Sequence, residues 1–220
     1  MTFSLIARCK DTGRFGVAVA SSSICVASRC GRWARAGVGA VATQNITDPA
    51  LGQLGLDLLG EGYGAEAVLR SRVAARPHAE FRQLAVVDGN GNTASYSGAR
   101  SLGLYKEHNG KDCVSSGNLL ANDGIPRAMV EAFEKDPGKH LGERLLAGLV
   151  AGLAAGGETA PVRSAGLYVV DRFVWPVIDL RVDWHDAPIA ELEKLFAEYF
   201  PQMNDYIQRA VDPTQAPGYK

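Results

Sequence analysis

The chain has 220 residues, of which 46% are hydrophobic, and a formal net charge of −1 at pH 7. A chain of this length and apolar content builds one domain with a sizeable core. Its balanced charge favours neither nucleic acid nor a membrane surface as partner. We therefore expect a single globular domain over residues 1–220 that acts on a small-molecule substrate.

The cysteines and the start of the chain bear on cofactors and location. Four cysteines form no C-x-x-C pair and lie among apolar or small residues, namely Cys9, Cys25, Cys30 and Cys113. This pattern is typical of free thiols, so we expect no metal site and no cofactor. No basic segment followed by an apolar one opens the chain, and no apolar run approaches the roughly 18 residues of a spanning helix. The expected location is the cytoplasm.

Three strands are predicted in the first 45 residues, over 2–8, 15–21 and 37–43, and we expect them to form a meander. Lys10-Asp11-Thr12-Gly13 supplies the first turn. The second and third strands alternate Val with Ala or Gly, a pattern that suits a sheet covered on both faces.

The rest of the chain alternates pairs of helices with groups of strands. Asp48-Pro49 predicts a helix start with Asp as the N-cap, and a second helix ends near Ala75 before Pro77. Gly89-Asn90-Gly91 predicts a hairpin turn. The remaining predicted elements are strands over 82–88, 92–97 and 112–119, two helices closed by Gly156-Gly157, strands over 163–171 and 174–182, and a final helix capped by Asp186.

Strands and helix pairs that occur in blocks, rather than in strict alternation, favour an α+β layered sandwich over a doubly wound parallel sheet. No internal repeat or long linker divides the chain. Residues 212–220, which contain two prolines and a glycine, are predicted to be an unstructured tail.

Thr2 is the strongest candidate for chemistry, because it heads the first strand directly after Met1. If Met1 is removed, Thr2 carries a hydroxyl and an α-amine, and an amine with a pKa of about 7.7 to 8.0 can take the hydroxyl proton near neutral pH. If Met1 is retained, it acylates the amine and removes the base. Thr2 is then an ordinary strand residue.

Several segments resemble one bacterial family. Residues 33–44, which read WARAGVGAVATQ, are similar to the family known as DUF1028, as are residues 1–21, 116–121 and 179–183. The resemblance extends to about residue 200. The family is grouped by likeness with the N-terminal nucleophile (Ntn) hydrolases, which implies a four-layer αββα sandwich.

The start of the chain also resembles the proteasome β-subunits, in which Thr opens the first strand and a Gly-Val-x-Val-Ala strand returns beside it. That resemblance implies Thr2 as the nucleophile. It also shows departures, because Ser21-Ser22-Ser23 stand where the proteasome pattern has Asp, and no lysine matches the one that lowers the amine pKa. A nearby cation lowers an amine pKa and steadies an oxyanion. Arg35 is the candidate, with Arg32 behind it, although a structural arginine fits the same position.

Three amide side chains are candidates for contact with the substrate. Gln44 and Asn45 follow the predicted third strand, at an exit where the superfamily resemblance implies an oxyanion donor. Asn118 follows Gly117 at a strand end and is a candidate to polarise the same carbonyl. A turn asparagine that bonds local backbone is the alternative for Asn118.

The resulting hypothesis is an N-terminal nucleophile hydrolase that cleaves a C–N bond of a small amide, ureido or carbamoyl compound. Thr2, Arg35 and Asn118 are its catalytic candidates, and Gln44 and Asn45 are its substrate-binding candidates. Cys25 is a rival nucleophile without an evident base. The alternative function is a catalytically silent protein of the same fold that binds a small molecule or partner. Exposed sheet edges and the superfamily resemblance predict a homo-oligomer.

Overall fold

The structure is a computed structural model that describes residues 1–218, apart from the side chains of Arg72 and Ala75. One sheet has six antiparallel strands in the order β10-β9-β2-β1-β8-β7, and the other has four in the order β3-β4-β5-β6. The strands are β1 Thr2–Arg8, β2 Phe15–Ser21, β3 Ala34–Arg35, β4 Gly39–Asn45, β5 Arg82–Asp88, β6 Thr93–Ser97, β7 Lys106–Gly110, β8 Cys113–Asn118, β9 Ser164–Val170 and β10 Pro176–Val182.

Helices cover the outer faces of both sheets. Helices α1 (Ala50–Gly60) and α2 (Ala65–Ala75) pack on the four-stranded sheet. The outer face of the six-stranded sheet is covered by α3 (Ile125–Glu134), α4 (Leu141–Ala154) and α5 (Pro188–Tyr199), and α6 (Met203–Val211) packs near its edge. The layers are therefore helix, sheet, sheet, helix. This confirms the α+β layered sandwich predicted from the order of elements, and the αββα arrangement that the family resemblance implied.

Alternation along the central strand β1 assigns its side chains to two different layers. Phe3 and Leu5 point to the core beneath α3 and α4, whereas Ile6 points to the core between the two sheets. Because successive strand residues face opposite sides, Thr2 and Ser4 share the inter-sheet side with Ile6. Position 2 is therefore directed into the middle of the sandwich.

The hairpin predicted around Gly89-Asn90-Gly91 is confirmed between β5 and β6. Gly91 has a φ of +87°, which favours glycine. The Asp88 carboxylate accepts hydrogen bonds from the backbone N–H groups of Asn90 and Asn92, at 2.9 and 3.0 Å. A side-chain cap and a glycine together close the turn.

The expected meander of the first three strands is wrong, because the third strand belongs to the other sheet. Its bounds also differ, since Gly37 (φ +70°) lies in the turn after β3 and β4 runs over Gly39–Asn45. Small and apolar residues on both faces predict a strand that is covered on both sides, but they do not determine which strand lies next to it. The residue pattern of β4 is therefore compatible with either sheet.

Other elements differ in detail from the prediction. Helix α1 begins one residue later than expected, although the Asp48 carboxylate does accept from the N–H of Ala50 at 3.1 Å. Asp186 does not cap α5, because it forms an ion pair with Arg163. The polar edge strand β7 and the short helix α6 were not predicted.

In the predicted tail, Pro213–Gln215 form one 3-10 turn, in which the Asp212 carboxylate accepts from the N–H of Thr214. Residues 219 and 220 lie outside the described residues. Within residues 1–218, no helix combines the length and the apolar character needed to cross a bilayer.

His140 caps the start of α4 in its neutral form, and this predicts a pH-dependent stability. Its Nδ1 accepts from the Gly142 N–H at 3.1 Å, and burial, together with the charge of Arg14, lowers its pKa from 6.5 to about 4. Between pH 6.5 and about 4, His140 is therefore protonated in the unfolded chain but neutral in the folded chain. The free energy of unfolding falls as the pH drops through this range. Since the imidazole is partly exposed, we expect a loss of about 1–2 kcal/mol.

Urea denaturation of the native chain and of His140→Asn at pH 7.5 and pH 5 measures this loss, because asparagine keeps the cap without titrating. The native chain should lose more stability than the variant between the two conditions. Equal losses in both proteins would contradict the assignment.

Candidate functional site

Polar side chains fill one end of the space between the two sheets. The other end is apolar and is packed by Ile6, Phe15, Val17, Ala34, Ala40, Ala42, Ala85, Val87, Val114 and Val170. At the polar end, Ser4, Gln44, Gln83, Ser116 and Asn118 are each at most 1% exposed. Buried polar groups of this kind are retained where hydrogen bonds satisfy them.

Gln83 is the centre of this polar cluster. Its Nε2 donates to the Gly117 carbonyl at 2.9 Å and to Ser97 Oγ at 2.8 Å. Its Oε1 accepts from Gln44 Nε2 at 2.7 Å and from Asn118 Nδ2 at 3.1 Å. All four hydrogen-bonding positions of the Gln83 amide are therefore occupied, and the bonds join β5 of one sheet to β8 of the other.

The backbone carbonyl of Gly117 fixes the orientation of every amide in the cluster. A carbonyl only accepts, so Gln83 must turn its Nε2 towards Gly117 and its Oε1 towards Gln44 and Asn118. Gln44 then points its Oε1 at the Ser4 hydroxyl, which donates to it at 2.7 Å. By the same logic Asn118 turns its Oδ1 away, and that buried oxygen has no partner within the described residues.

Thr2 lies beside Asn118, as its cross-strand partner in the β1–β8 pair. Its side chain is 5% exposed, and its hydroxyl is 3.4 Å from Ser21 Oγ. The hydroxyls of Thr2 and Ser21 both donate to the carbonyl of Met1. Ser21 Oγ also accepts from the N–H of Ser23 at 3.0 Å. The first of the three serines that depart from the proteasome pattern, Ser21, thus contacts the candidate nucleophile through its hydroxyl.

Glu158 is a site residue that sequence reasoning missed. It follows the Gly156-Gly157 turn after α4, is 7% exposed, and accepts from the Ser22 N–H through Oε2 at 3.0 Å. Burial raises the pKa of Glu158 from 4.5 to about 7, and the α-ammonium of Met1 acts in the opposite direction. A glutamate after a glycine pair carries no motif, so only the fold reveals that it lies near the start of β1.

The structure does not bring Arg35 to Thr2. Arg35 pairs with Gly39 at the first residue of β4, whereas Gln44 lies five residues further along, roughly 17 Å away at strand spacing. Its guanidinium donates to Asp57 at 2.7 Å. Arg35 therefore anchors β3 to α1, which is the structural alternative considered for it.

Gln44 and Asn45 support the site through bonds within the protein. Gln44 Nε2 uses both hydrogens, on Gln83 and on Ser116 Oγ at 3.1 Å. Asn45, with a φ of +72°, donates to the Phe81 carbonyl and accepts from the Leu102 N–H at 3.2 Å. Asn118 Nδ2 makes one bond, to Gln83, and retains a second N–H. Asn45 and Asn118 therefore each have one N–H that these bonds do not use, and Asn118 is the one that lies opposite Thr2.

The cavity of about 680 Å³ lies elsewhere, beside β3 and the end of β9. It contains none of Thr2, Ser21, Asn118 and Glu158, and its lining includes Arg32, Trp33, Arg35, Tyr168, Arg172 and Phe173. Ser28 and Tyr168 supply hydroxyls to this cavity, but the described residues that line it include no His, Asp, Glu or Lys that could act as a base. We place the candidate site at Thr2 because nucleophilic chemistry needs both a hydroxyl and a base.

The cysteines are free, and Cys9, Cys30 and Cys113 are buried while Cys25 is partly exposed. Burial raises the pKa of Cys113 to about 12 and also raises that of Cys30. These two thiols are therefore poor nucleophiles at neutral pH. In the described part of the chain, no three His, Cys, Asp or Glu side chains are grouped so as to hold a metal ion.

The fold and site define an α+β sandwich with a buried threonine at the head of a central strand. The chain belongs to DUF1028, a family of unknown function, whose model matches residues 2–192. It is similar to the crystal structure of protein SPO2555 from Silicibacter pomeroyi, which carries the same family label. The two are 30% identical with a TM-score of 0.82, over 90% of this chain and 88% of that one. No curated protein matches the sequence.

Proposed function

We propose that the chain, once it begins at Thr2, hydrolyses a C–N bond of a small amide, ureido or carbamoyl compound. The observation that carries the proposal is the position of the Thr2 hydroxyl. It lies at the buried head of β1, between Ser21 and Asn118, directly after Met1. The likeness of the start to threonine-type N-terminal nucleophile hydrolases supports the same assignment.

Thr2 Oγ1 attacks the carbonyl carbon of the substrate while the α-amine of Thr2 takes the hydroxyl proton. The resulting ammonium gives that proton to the departing nitrogen, so the C–N bond breaks and an ester of Thr2 remains. Water, deprotonated by the same amine, then attacks the ester. The products are the carboxylic or carbamic acid and the amine, with the Thr2 hydroxyl restored.

Asn118 is the proposed donor to the oxyanion of this reaction. Its unused N–H lies on the cross-strand partner of Thr2, in a buried and pre-oriented cluster where such a donor is most effective. Gln44 and Gln83 act by holding Asn118. Arg35 has no part in the proposed chemistry, because its guanidinium is bound to Asp57 at the other end of β4.

The proposal requires removal of Met1, and this requirement has a direct test. We expect a chain produced to begin at Thr2 to turn over at least one member of a panel of amides, ureides and carbamoyl compounds. The same chain with Met1 retained should be inactive, since acylation of the amine removes the base. Intact-mass analysis of protein from its native host provides the control. Met1 present in every molecule would refute the mechanism in the cell.

The second candidate function is a silent member of this fold that binds a small molecule or partner. The observation that favours it is the closed state of Thr2, whose hydroxyl is bound to the Met1 carbonyl. Binding of a panel compound by the chain that begins at Thr2, without turnover, would support this function over hydrolysis.

A further inference from the structure

The carboxylate of Glu158 has one satisfied oxygen and one unsatisfied oxygen. Oε2 accepts from the Ser22 N–H at 3.0 Å, whereas Oε1 is buried and has no hydrogen-bond partner within the described residues. Leaving a buried carboxylate oxygen unpaired is costly, since the protein has removed it from water. An unpaired oxygen on a residue 7% exposed therefore indicates a donor that is absent from this form of the chain.

Backbone contacts fix where this carboxylate lies. Residue 158 forms an antiparallel bridge with Leu120, just beyond the end of β8. On either side of it, the Thr159 N–H donates to the Leu119 carbonyl at 3.0 Å, and the Ala121 N–H donates to the Gly157 carbonyl at 3.1 Å. Glu158 is thus held next to the strand end where Asn118 pairs with Thr2.

The N-terminus acts on the charge of Glu158. Burial raises the pKa of the carboxyl, while the hydrogen bonds from Ser22 and the α-ammonium of Met1 lower it. No lysine or arginine of residues 1–218 forms an ion pair with Glu158. Met1 also touches the same segment through its sulfur, which lies 3.5 Å from Thr159 Oγ1.

Removal of Met1 moves the amine by about one residue, or roughly 3.5 Å, to the nitrogen of Thr2. The two hydroxyls that now bind the Met1 carbonyl are then released, and the space of Met1 opens. The new amine is a donor with up to three N–H bonds, beside a carboxylate oxygen that lacks one.

We propose that Glu158 is a positioning residue, whose free oxygen accepts an N–H of the Thr2 α-amine and turns the amine lone pair towards the Thr2 hydroxyl. This inference rests on the proposed function. It completes the arrangement in which a third group orients the base that activates a nucleophile. A buried carboxylate plays the same part for histidine in the Ser-His-Asp triad, and there too it holds the base without taking the proton.

The proton balance stays that of the hydrolysis described above. The Thr2 hydroxyl proton passes to the amine, and the ammonium so formed is paired with the Glu158 carboxylate. The same proton then leaves with the departing nitrogen. Glu158 ends each step in its starting state, so its contribution is orientation of the amine and stabilisation of the transient ammonium.

The test is the pKa of the Thr2 α-amine, measured by NMR titration of a chain that begins at Thr2 and carries 15N-threonine. Removing an opposite charge within about 4–6 Å should lower the amine pKa by about one unit in Glu158→Gln. Glutamine keeps an acceptor for the Ser22 N–H, and the spectrum of the variant reports its fold. Glu158→Asp should restore part of the shift.

Glu131→Gln is the matched control, because Glu131 is exposed and pairs with Arg127 on α3. The Thr2 α-amine of the Glu131→Gln chain should have the same pKa as in the unchanged chain. A folded Glu158→Gln chain whose amine pKa moves by less than about 0.2 units would overturn the proposal.

A second measurement covers the case in which Glu158→Gln fails to fold. The 13C carboxyl signal of Glu158 in the unchanged Thr2-start chain should titrate in two steps, one of them at the amine pKa. A single step would overturn the proposal. The two proposals also fail separately: an amine shift without turnover of any substrate contradicts hydrolysis and leaves the Glu158–amine pair standing.

Discussion

Replacing Thr2 with alanine in a chain that begins at residue 2 should reduce turnover at least about a thousandfold, because alanine keeps the α-amine but has no nucleophile. The fold should survive. Thr2 makes one side-chain hydrogen bond outside Met1, at 3.4 Å to Ser21, so the loss of stability should stay within about 1 kcal/mol. Steady-state kinetics and thermal unfolding of the same preparation separate the two effects.

Thr2→Ser is the matched control for this loss. Serine retains the hydroxyl and the amine on one residue, so we expect turnover within about tenfold of the unchanged chain. An alanine variant as active as the unchanged chain would require another nucleophile. Alkylation of the partly exposed Cys25 would then identify or exclude the thiol.

Replacing Gln83 with leucine should give the largest loss of stability among the polar residues of the site. Leucine is similar in size but removes a group that makes four hydrogen bonds, at 2.7, 2.8, 2.9 and 3.1 Å. The Gly117 carbonyl and the Asn118 amide would stay buried without this partner. Each buried polar group left without a hydrogen-bond partner costs about 1–3 kcal/mol, so we expect the free energy of unfolding to fall by about 4 kcal/mol in total.

Urea denaturation measures the effect, and Gln53→Leu is its control. Gln53 is exposed on α1 and donates to Asp57 at 2.9 Å, so its replacement should change stability by less than about 0.5 kcal/mol. A Gln83→Leu chain that loses no more than the control would show that the cluster adds nothing to stability. Because Gln83 also holds Asn118, we expect Gln83→Glu, which keeps the Oε1 acceptor, to preserve more activity than Gln83→Leu.

Much of the secondary structure follows from local pattern. Period-two alternation with turn residues predicts β1, β2 and the hairpin of β5 and β6, since successive side chains of a strand point to opposite faces. The block order of strands and helices predicts the layered sandwich. The edge strand β7, with the sequence Lys-Glu-His-Asn-Gly, has no alternation because it buries little, and the pattern missed it.

The residues of the candidate site also differ in whether the sequence predicted their position. Thr2 and Asn118 were predicted to act together, and the β1–β8 register places them opposite each other. Arg35 was expected beside them and lies at the far end of β4, because the direction in which β4 runs is set by the packing of two sheets. Glu158 reaches the site through a glycine turn some 156 residues after Thr2. Residues so far apart in the chain share no motif spacing that could predict their contact.

The sequence by itself determined most of the segments that form strands and helices, that the core is layered, and that a threonine stands second in the chain. These properties depend on neighbours within a few residues, where periodicity and turn chemistry act directly. The tertiary structure alone decided which strand joins which sheet, that Gln83 fixes the orientation of Asn118, and that Glu158 lies near the N-terminus. Those outcomes depend on hydrogen bonds and burial between segments far apart in the chain, which local pattern does not contain.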